Sequence, residues 1–427
     1  MINMEHGGLY YTFLRWTKWS KHTSILYRYL ESKVPEYELP PLLIKNDGSK
    51  VKNSNDWYEF RRNELLNLLK THEYGRSPKY SGGLKYKVIE HNELALNGLA
   101  IRKQIGICLH PDDEDSIMNL LIYLPVDDEK PIPLIVGLNF YGNQTIHRDR
   151  RIILPKTWIR NKESYGITNN RATHDSRGVR SYRWPVEFVL KQGFGLATAY
   201  YGDICPDRND GCDLGVNNLY KTEKNASRKV DDWGAISAWA WGLSRAMDYF
   251  EDDDDIDEHN IGVMGHSRLG KTSLWAGAQD ERFSYIIASA SGCGGAALSK
   301  RSFGETVKLI NDRFPHWFCK NFEKYNANEC NLPIDQHMLI ALNAPRPLYV
   351  SMADRDLWAD PKGMYEAMVE ADKAYKLLGT QGLPDGHKLE VGKHFYGQIG
   401  FHMRPGGHDV LKSDWEHYLK FIKLHMK

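Results

Sequence analysis

Residues 265–272 read GHSRLGKT, and this stretch decides the fold. It fits the phosphate-binding pattern G-x-x-x-x-G-K-[ST] at every position. It also places Ser267 two residues after Gly265, as the nucleophile elbow of an esterase does. The apolar run NIGVMGH before it and the helical pattern KTSLWAGA after it indicate a strand, a sharp turn and a helix. Both interpretations accept that local structure, so the rest of the chain must separate them.

The residues downstream favour the elbow. The next strand, IIASAS, does not end in the aspartate that would bind magnesium beside a phosphate loop. An α/β-hydrolase instead needs an acid and then a histidine after the serine. The strand PLYVSMA is followed by Asp354 and Asp356, and the strand IGFHMR is followed by a glycine-rich loop that carries His408. The sequence therefore predicts a serine esterase.

The residue types fit acyl transfer. A serine hydroxyl is a weak nucleophile at neutral pH, so His408 would take its proton and return it to the leaving alcohol. A buried carboxylate would fix the imidazole tautomer. Oxyanion donors would come from Arg268, through its backbone N–H and its guanidinium, and from the loop GLNFYGN at 137–143, which follows an early strand.

The pattern along the chain predicts an α/β fold. From about residue 85 onward, nine apolar runs alternate with helical stretches, which is typical of a mostly parallel sheet covered on both faces. The runs are LKYKVIEH, LAIRKQIGICL, IMNLLIYLP, PLIVGLNF, FGLATAYY, NIGVMGH, SYIIASAS, PLYVSMAD and QIGFHMRP. We expect an N-terminal extension at 1–80 that packs on a catalytic domain at 81–427. The extension should hold a helix that begins near SNDWYEF, capped by Asn55 or Asp56.

Composition excludes some classes of partner. The 427 residues are 41% hydrophobic and 26% charged, with a formal net charge of +1. This balance gives no electrostatic basis for binding nucleic acid or an anionic membrane. No apolar run reaches membrane-spanning length. We predict no metal site and no cofactor, and we expect a monomer.

Several stretches between residues 30 and 427 resemble the glucuronoyl esterases, family 15 of the carbohydrate esterases. These are LNFYGN, RWPVEFVLKQGFGLATAYYGDI, GHSRLGKTSLWAGAQDERF, SGCGGAALSKRSFGETV, FPHWF, DQHMLIALNAPRPLYV, DLWADP and GGHDV. The signature G-x-S-R-x-G-K is specific to that family and accounts for the glycine at 270 rather than 269. The resemblance implies the α/β-hydrolase fold, a three-layer αβα sandwich.

The resemblance also implies an activity and site residues. The activity is hydrolysis of the ester between a 4-O-methyl-glucuronoyl group of glucuronoxylan and a lignin alcohol. By motif, Ser267 is the nucleophile, His408 the base and the Arg268 side chain an oxyanion donor. The implied contacts to the sugar come from Lys271, Glu305 and Trp358. No metal or organic cofactor is implied.

One position departs from the family. Many members carry a glutamate just before the segment SGCGG, where it serves as the triad acid, and this chain has Ala290 there. Alanine cannot orient an imidazole, so Asp356, which precedes LWADP, is expected to be the acid ahead of Asp354. The departure also leaves two alternatives open. One is an esterase of other specificity, such as an acetyl xylan esterase, and the other is a carbohydrate-binding pseudoenzyme.

The compartment is less clear from the residues. Cys205 and Cys212 bracket the polar loop CPDRNDGC and could form a disulfide or remain free thiols. Near the N-terminus, Arg15, Lys18 and Lys21 interrupt what would be the apolar core of a signal peptide, so none is clearly predicted. The family resemblance nevertheless implies a secreted or periplasmic enzyme.

Overall fold

The structure, a computed structural model, describes residues 29–80, 83–126, 129–221 and 228–426. The three cations near the N-terminus lie outside these residues. The strands of the described residues are β1 Tyr86–Leu94, β2 Ala100–His110, β3 Asp113–Pro125, β4 Ile132–Asn139, β5 Ile167–Thr168, β6 Arg171–Ala172, β7 Gly195–Tyr200, β8 Ile256–His266, β9 Tyr285–Ser289, β10 Leu348–Ala353, β11 His394–Tyr396 and β12 Ile399–Arg404.

A ten-stranded sheet forms the centre of the fold. Its order is β1-β2-β3-β7-β4-β8-β9-β10-β12-β11, and β5 and β6 form a separate hairpin. The six neighbouring strands from β7 to β12 run parallel, and the strands at both ends pair antiparallel. All nine apolar runs of the sequence are strands of this sheet. The tenth, β11, has three residues and is too short to give a pattern.

Helices cover both faces of the sheet. The helices are α1 Arg62–Leu69, α2 Val186–Leu190, α3 Ala235–Phe250, α4 Arg268–Gln279, α5 Val307–Arg313, α6 Gln336–Ala341, α7 Pro361–Leu377 and α8 Lys412–His425. Shorter α-helical turns lie at Ser54–Asp56, Ala95–Gly98, Tyr201–Ile204, Gly211–Leu214 and Val216–Leu219, and π-helical segments at Trp57–Arg61 and Lys70–Tyr74. The 3₁₀ turns are Glu31–Lys33, Asn143–Thr145, Glu163–Tyr165, His174–Ser176, Ser181–Arg183, Ser299–Arg301, Lys320–Tyr325, Glu329–Asn331 and Leu357–Ala359.

Two separate hydrophobic clusters define the three layers. The helices α3, α4, α6 and α7 pack into the larger cluster, while α2 and α8 pack into the smaller one on the other side. The central strands are buried along nearly their whole length, as parallel strands between two helical layers must be. The chain therefore has the α/β-hydrolase fold, as the sequence predicted.

The predicted N-terminal helix is present, with a different cap. The helical segment runs through residues 54–74, and the side chain of Asn53 accepts a hydrogen bond from the Asp56 amide at 2.9 Å. The predicted caps, Asn55 and Asp56, lie inside the first turn, so that detail was wrong. The segment buries several side chains completely in the larger cluster: Trp57, Leu65, Leu69 and Tyr74. We propose that it belongs to one domain with the sheet.

Among residues 29–80, 83–126, 129–221 and 228–426, no helix combines the length and the apolar character needed to cross a bilayer.

Candidate active site

Ser267 lies at the turn between β8 and α4. Its backbone has φ 59° and ψ −127°, a strained conformation for a residue other than glycine. The turn returns so sharply that a Cβ on Gly265 would lie 1.8 Å from the carbonyl oxygen of Leu269. A Cβ on Gly270 would lie 3.0 Å from the carbonyl oxygen of Ser289. Both glycines therefore allow two backbone segments to approach each other closely. The elbow forms although its second glycine comes one place later than usual.

The same geometry contradicts a phosphate loop. Residues 268–271 already belong to helix α4, so no loop wraps a phosphate before it. The Lys271 Nζ is buried and donates to the carbonyl oxygen of Ser291 at 2.6 Å. The Thr272 hydroxyl donates to the carbonyl of Arg268 at 3.0 Å within the helix. The two side chains that would hold phosphate and magnesium are therefore engaged elsewhere.

His408 and Asp356 come together from two different loops. The Nδ1 atom of His408 lies 2.6 Å from Oδ2 of Asp356, and Asp356 is buried. Asp356 follows strand β10, and His408 follows β12. The other predicted acid, Asp354, accepts a hydrogen bond from the Gly406 amide at 2.7 Å, so it holds the loop of the histidine. Of the two aspartates, Asp356 alone contacts the imidazole.

The imidazole of His408 lies above the end of strand β8. Its ring centroid is 4.5 Å from that of His266, the residue before Ser267. Burial holds the pKa of His266 well below its usual range. Among the described residues, the Ser267 hydroxyl makes no hydrogen bond to His408. Catalytic hydrogen bonds are often long in unliganded enzymes, so the placement rather than a contact supports this link.

Arg268 is held among aromatic rings beside the serine. Its guanidinium carbon lies 4.6 Å from the ring centroid of Trp317 and 5.7 Å from that of Phe140. Phe140 lies in the predicted segment 137–143, of which residues 137–139 are the end of strand β4, and the structure thus brings this segment to the elbow. An Arg268 terminal nitrogen forms an ion pair with Asp207. In the first turn of helix α4, the Gly270 and Lys271 amides donate to the carbonyl oxygen of Ser267 at 2.8 and 3.1 Å, and this end of the helix carries the positive end of its dipole.

Lys271, Glu305 and Trp358 lie close to one another. The Lys271 Nζ lies 3.3 Å from Oε2 of Glu305, and both side chains are buried. The Glu305 amide donates to the carbonyl oxygen of Trp358 at 3.0 Å. Trp358 is partly exposed. All the site residues predicted from the sequence therefore lie at one edge of the sheet, at the carboxyl ends of its strands.

A known protein is similar in sequence to this chain over most of its length. Carbohydrate esterase MZ0003, from an unknown prokaryotic organism, is 48% identical over 400 residues, which are 94% of this chain and 92% of that protein. A solved family 15 esterase from a marine bacterial metagenome is also 48% identical, over 94% of this chain. The chain belongs to carbohydrate esterase family 15, the glucuronoyl esterases. This family 15 enzyme is accordingly a carboxylic ester hydrolase.

Solved structures and a family model agree with this assignment. The esterase from the marine bacterial metagenome, a promiscuous enzyme, matches with a TM-score of 0.87, and the match covers 100% of its chain. A glucuronoyl esterase from Solibacter usitatus matches with a TM-score of 0.87 at 42% identity, covering 93% and 100%. The model for fungal glucuronyl esterases matches residues 215–379.

Ala290 is where this family 15 enzyme departs from its family, and its side chain and backbone are both enclosed by the fold. Ala290 is buried with φ 45°, and its amide donates to the carbonyl of Ser351 at 2.9 Å. Its methyl group offers no acceptor to an imidazole. Within the described chain, Asp356 is the carboxylate that hydrogen-bonds His408.

Asp207 was not among the site residues predicted from the sequence. This residue lies in the loop CPDRNDGC, soon after strand β7 and at the same sheet edge as the serine. Its position after a strand was the available signal. The flanking Cys205 and Cys212 are both buried free thiols. Of the disulfide and the free thiols that the sequence allowed, the structure therefore has the free thiols. In the described part of the chain, no three His, Cys, Asp or Glu residues cluster as metal ligands.

Proposed function

We propose that this family 15 enzyme is a serine esterase that cleaves the ester between a (4-O-methyl-)glucuronoyl group of glucuronoxylan and a lignin alcohol. The observation that carries the proposal is the His408–Asp356 hydrogen bond of 2.6 Å at the sheet edge where Ser267 forms an elbow. Acyl transfer requires a nucleophile, a base and an acid that orients the base, and here they follow the chain order serine, acid, histidine that is typical of this fold.

The proposed mechanism follows from the tautomer of His408. A carboxylate can only accept a hydrogen bond, so the imidazole Nδ1 carries the proton and Nε2 has a free lone pair. Nε2 takes the proton of Ser267 as Oγ attacks the ester carbonyl, and it returns that proton to the leaving alcohol. A water molecule then attacks the acyl-enzyme by the same route and releases the uronic acid.

Arg268 and the start of helix α4 would stabilise the oxyanion. The guanidinium, the Arg268 amide and the loop at 137–143 surround the place where negative charge develops. Donors of this kind contribute roughly 3–4 kcal/mol each to transition-state stabilisation in other hydrolases.

Lys271, Glu305 and Trp358 would bind the sugar. The ammonium and carboxylate groups can donate to and accept from neighbouring hydroxyls, and an indole face suits a pyranose ring. A cation in the first turn of a helix is opposed by the helix dipole, which supports a binding role for Lys271. Its pairing with Glu305 gives the two side chains a fixed geometry before substrate arrives.

The test is hydrolysis of benzyl and methyl esters of glucuronic acid. We expect turnover by the wild type, and a loss of at least about 10³-fold in kcat in Ser267→Ala and in His408→Ala, as for other serine hydrolases. Stopped-flow detection of the released alcohol should show a burst if the acyl-enzyme is hydrolysed more slowly than it forms. No turnover of any glucuronate ester by a folded wild type would contradict the proposal.

A broader esterase is the second candidate. The 48% identical relative of known structure is described as promiscuous. Comparing acetyl xylan with glucuronate esters measures this directly, since a promiscuous enzyme would turn over both at similar kcat/KM. Sugar binding without cleavage of either ester would instead identify a pseudoenzyme.

We also propose that the enzyme acts outside the cytoplasm, because its polymeric substrate does not enter cells. We propose separately that it is a monomer. Sedimentation analysis tests the monomer. Fractionation of the native host tests the compartment.

A further inference from the structure

The carboxylate of Asp207 accepts from four side chains. Oδ1 accepts from Nε2 of His316 at 2.9 Å and from Nε1 of Trp317 at 2.8 Å. Oδ2 accepts from the hydroxyl of Tyr201 at 3.0 Å and pairs with Arg268. The side chain is only 2% exposed. Because an ionised carboxylate has about four acceptor sites, these contacts saturate it.

The charge of Asp207 is secured by these partners. Burial alone would raise its pKa, but the Arg268 guanidinium and the hydrogen bonds from His316 and Trp317 hold it well below the usual range. The carboxylate therefore stays ionised over the pH range in which an esterase of this kind would act. It is a fixed negative charge against which the guanidinium is held.

The guanidinium of Arg268 is constrained in two ways. Asp207 holds one terminal nitrogen, and the indole of Trp317 faces the guanidinium carbon at 4.6 Å. Asp207 also receives the N–H of that same indole, so one carboxylate fixes both the cation and the ring on which it lies. The Nε atom of Arg268 is buried without a hydrogen-bond partner among the described residues. This donor is therefore available to a ligand.

We infer that Asp207 is a positioning residue for the reaction, which acts by holding the Arg268 guanidinium where the oxyanion forms. The inference rests on the proposed role of Arg268. Donors that are placed in advance need no reorganisation as charge develops, which is the condition under which they stabilise a transition state most. Asp207 itself contacts neither the serine nor the histidine of the triad.

A double-mutant cycle between Asp207→Asn and Arg268→Ala tests the inference. For a glucuronate ester, we expect Arg268→Ala to lower kcat about 100-fold, as the loss of an oxyanion donor does elsewhere. Asp207→Asn should lower kcat about 10-fold with KM changed less than about threefold, and it should add less than about twofold in the Arg268→Ala background. An equal loss in both backgrounds, or no loss in Asp207→Asn, would overturn the inference.

Two further variants keep the test decisive if Asp207→Asn does not fold. Tyr201→Phe removes one donor from the carboxylate oxygen that pairs with Arg268, and we expect a kcat loss of about threefold that disappears in Arg268→Ala. Asp372→Asn is the matched control, because Asp372 is also buried, pairs with Lys376 and accepts a backbone hydrogen bond from Leu383 at 2.9 Å. Any effect of this control should be equal in both backgrounds.

A second measurement separates this inference from the proposed function. An alkyl fluorophosphonate phosphonylates the serine whatever ester the enzyme prefers: Oγ attacks phosphorus, fluoride leaves, and negative charge develops on the phosphoryl oxygen during the attack. The second-order rate of labelling should fall about 10-fold in Asp207→Asn and show the same non-additivity with Arg268→Ala. Normal labelling in Asp207→Asn would sink the inference alone, while absent glucuronate hydrolysis with reduced labelling would sink only the substrate assignment.

Discussion

Nδ1 of His408 lies 2.6 Å from Oδ2 of Asp356, although 52 positions separate the two residues. Asp354, only two residues before Asp356, contacts the amide of Gly406 instead. A single loop therefore supplies one carboxylate to the imidazole and another to the backbone that carries it. Substitutions of the two aspartates should therefore have different effects.

Asp356→Asn should lower kcat by about 10³–10⁴-fold, because an amide favours the wrong tautomer of His408 and cannot stabilise the imidazolium. Asp354→Asn is the matched control. It removes a carboxylate that holds the loop, so we expect a lower Tm and less than about a 10-fold change in kcat. Steady-state kinetics and thermal unfolding of both variants decide this. A larger kcat loss in Asp354→Asn than in Asp356→Asn would contradict the assignment of the acid.

Ala290→Glu should restore part of the activity lost in Asp356→Asn. The substitution places a carboxylate where many family members carry their triad acid, beside strand β9 and behind the elbow. We expect the double variant to exceed Asp356→Asn by at least about 10-fold in kcat, since either acid can orient the imidazole. Ala290→Gln in the same background is the control. A folded double variant that is no faster than Asp356→Asn would show that position 290 does not reach His408.

Lys271→Met should affect glucuronate and acetate esters differently. The ammonium is expected to contact the uronate sugar, and hydrogen bonds from a charged donor contribute about 1.5–3 kcal/mol. We expect kcat/KM on benzyl glucuronate to fall about 10- to 100-fold, and kcat/KM on an acetyl ester to change less than about threefold. Since the substitution leaves Glu305 buried without its cation, the double variant with Glu305→Gln serves as the control for charge. Equal losses on both esters would contradict a role in sugar recognition.

The elbow predicts a contrast between two glycines. A Cβ on Gly265 would lie 1.8 Å from the Leu269 carbonyl oxygen, whereas a Cβ on Gly270 would first meet neighbours at 3.0 Å. Gly265→Ala should therefore cost more than about 4 kcal/mol in the free energy of unfolding, and Gly270→Ala less than about 2 kcal/mol. Urea unfolding measures both. A stable Gly265→Ala variant would show that the turn is looser than the structure has it.

Glu73 should make the stability of the enzyme depend on pH. The side chain is fully buried, and its partner is the Gln336 amide at 3.1 Å from Oε1. Burial raises the pKa of Glu73 to about 8 from a usual value of 4.5, although the Gln336 hydrogen bond opposes that rise. Between these two pH values the folded chain binds one proton more than the unfolded chain. The free energy of unfolding therefore falls as pH rises, by about 1.4 kcal/mol per pH unit from this group.

Glu73→Gln removes this titration and keeps a neutral side chain of similar shape. We expect the Tm of the variant to rise relative to the wild type between pH 5 and pH 8. Scanning calorimetry across that range measures the difference. The same pH dependence in both proteins would show that Glu73 is ionised in the folded state.

Local sequence patterns determined the strands, the elbow and the order of the triad. Nine apolar runs gave nine strands because a parallel strand between two helical layers is buried throughout, and burial leaves a continuous run. Ser267 was found because Gly265, Ser267 and Gly270 lie within one turn. The short strand β11 and the Asn53 cap were missed because three residues or one polar side chain give too weak a pattern.

The tertiary structure alone decided which distant side chains meet. The sequence allowed either Asp354 or Asp356 to orient His408, and only the paths of two loops selected Asp356. The same holds for Asp207 and Arg268, which are 61 residues apart. It holds also for the buried Lys271–Glu305 pair. Patterns within one element are set by local backbone geometry, whereas contacts between loops depend on how the whole sheet brings the carboxyl ends of its strands together.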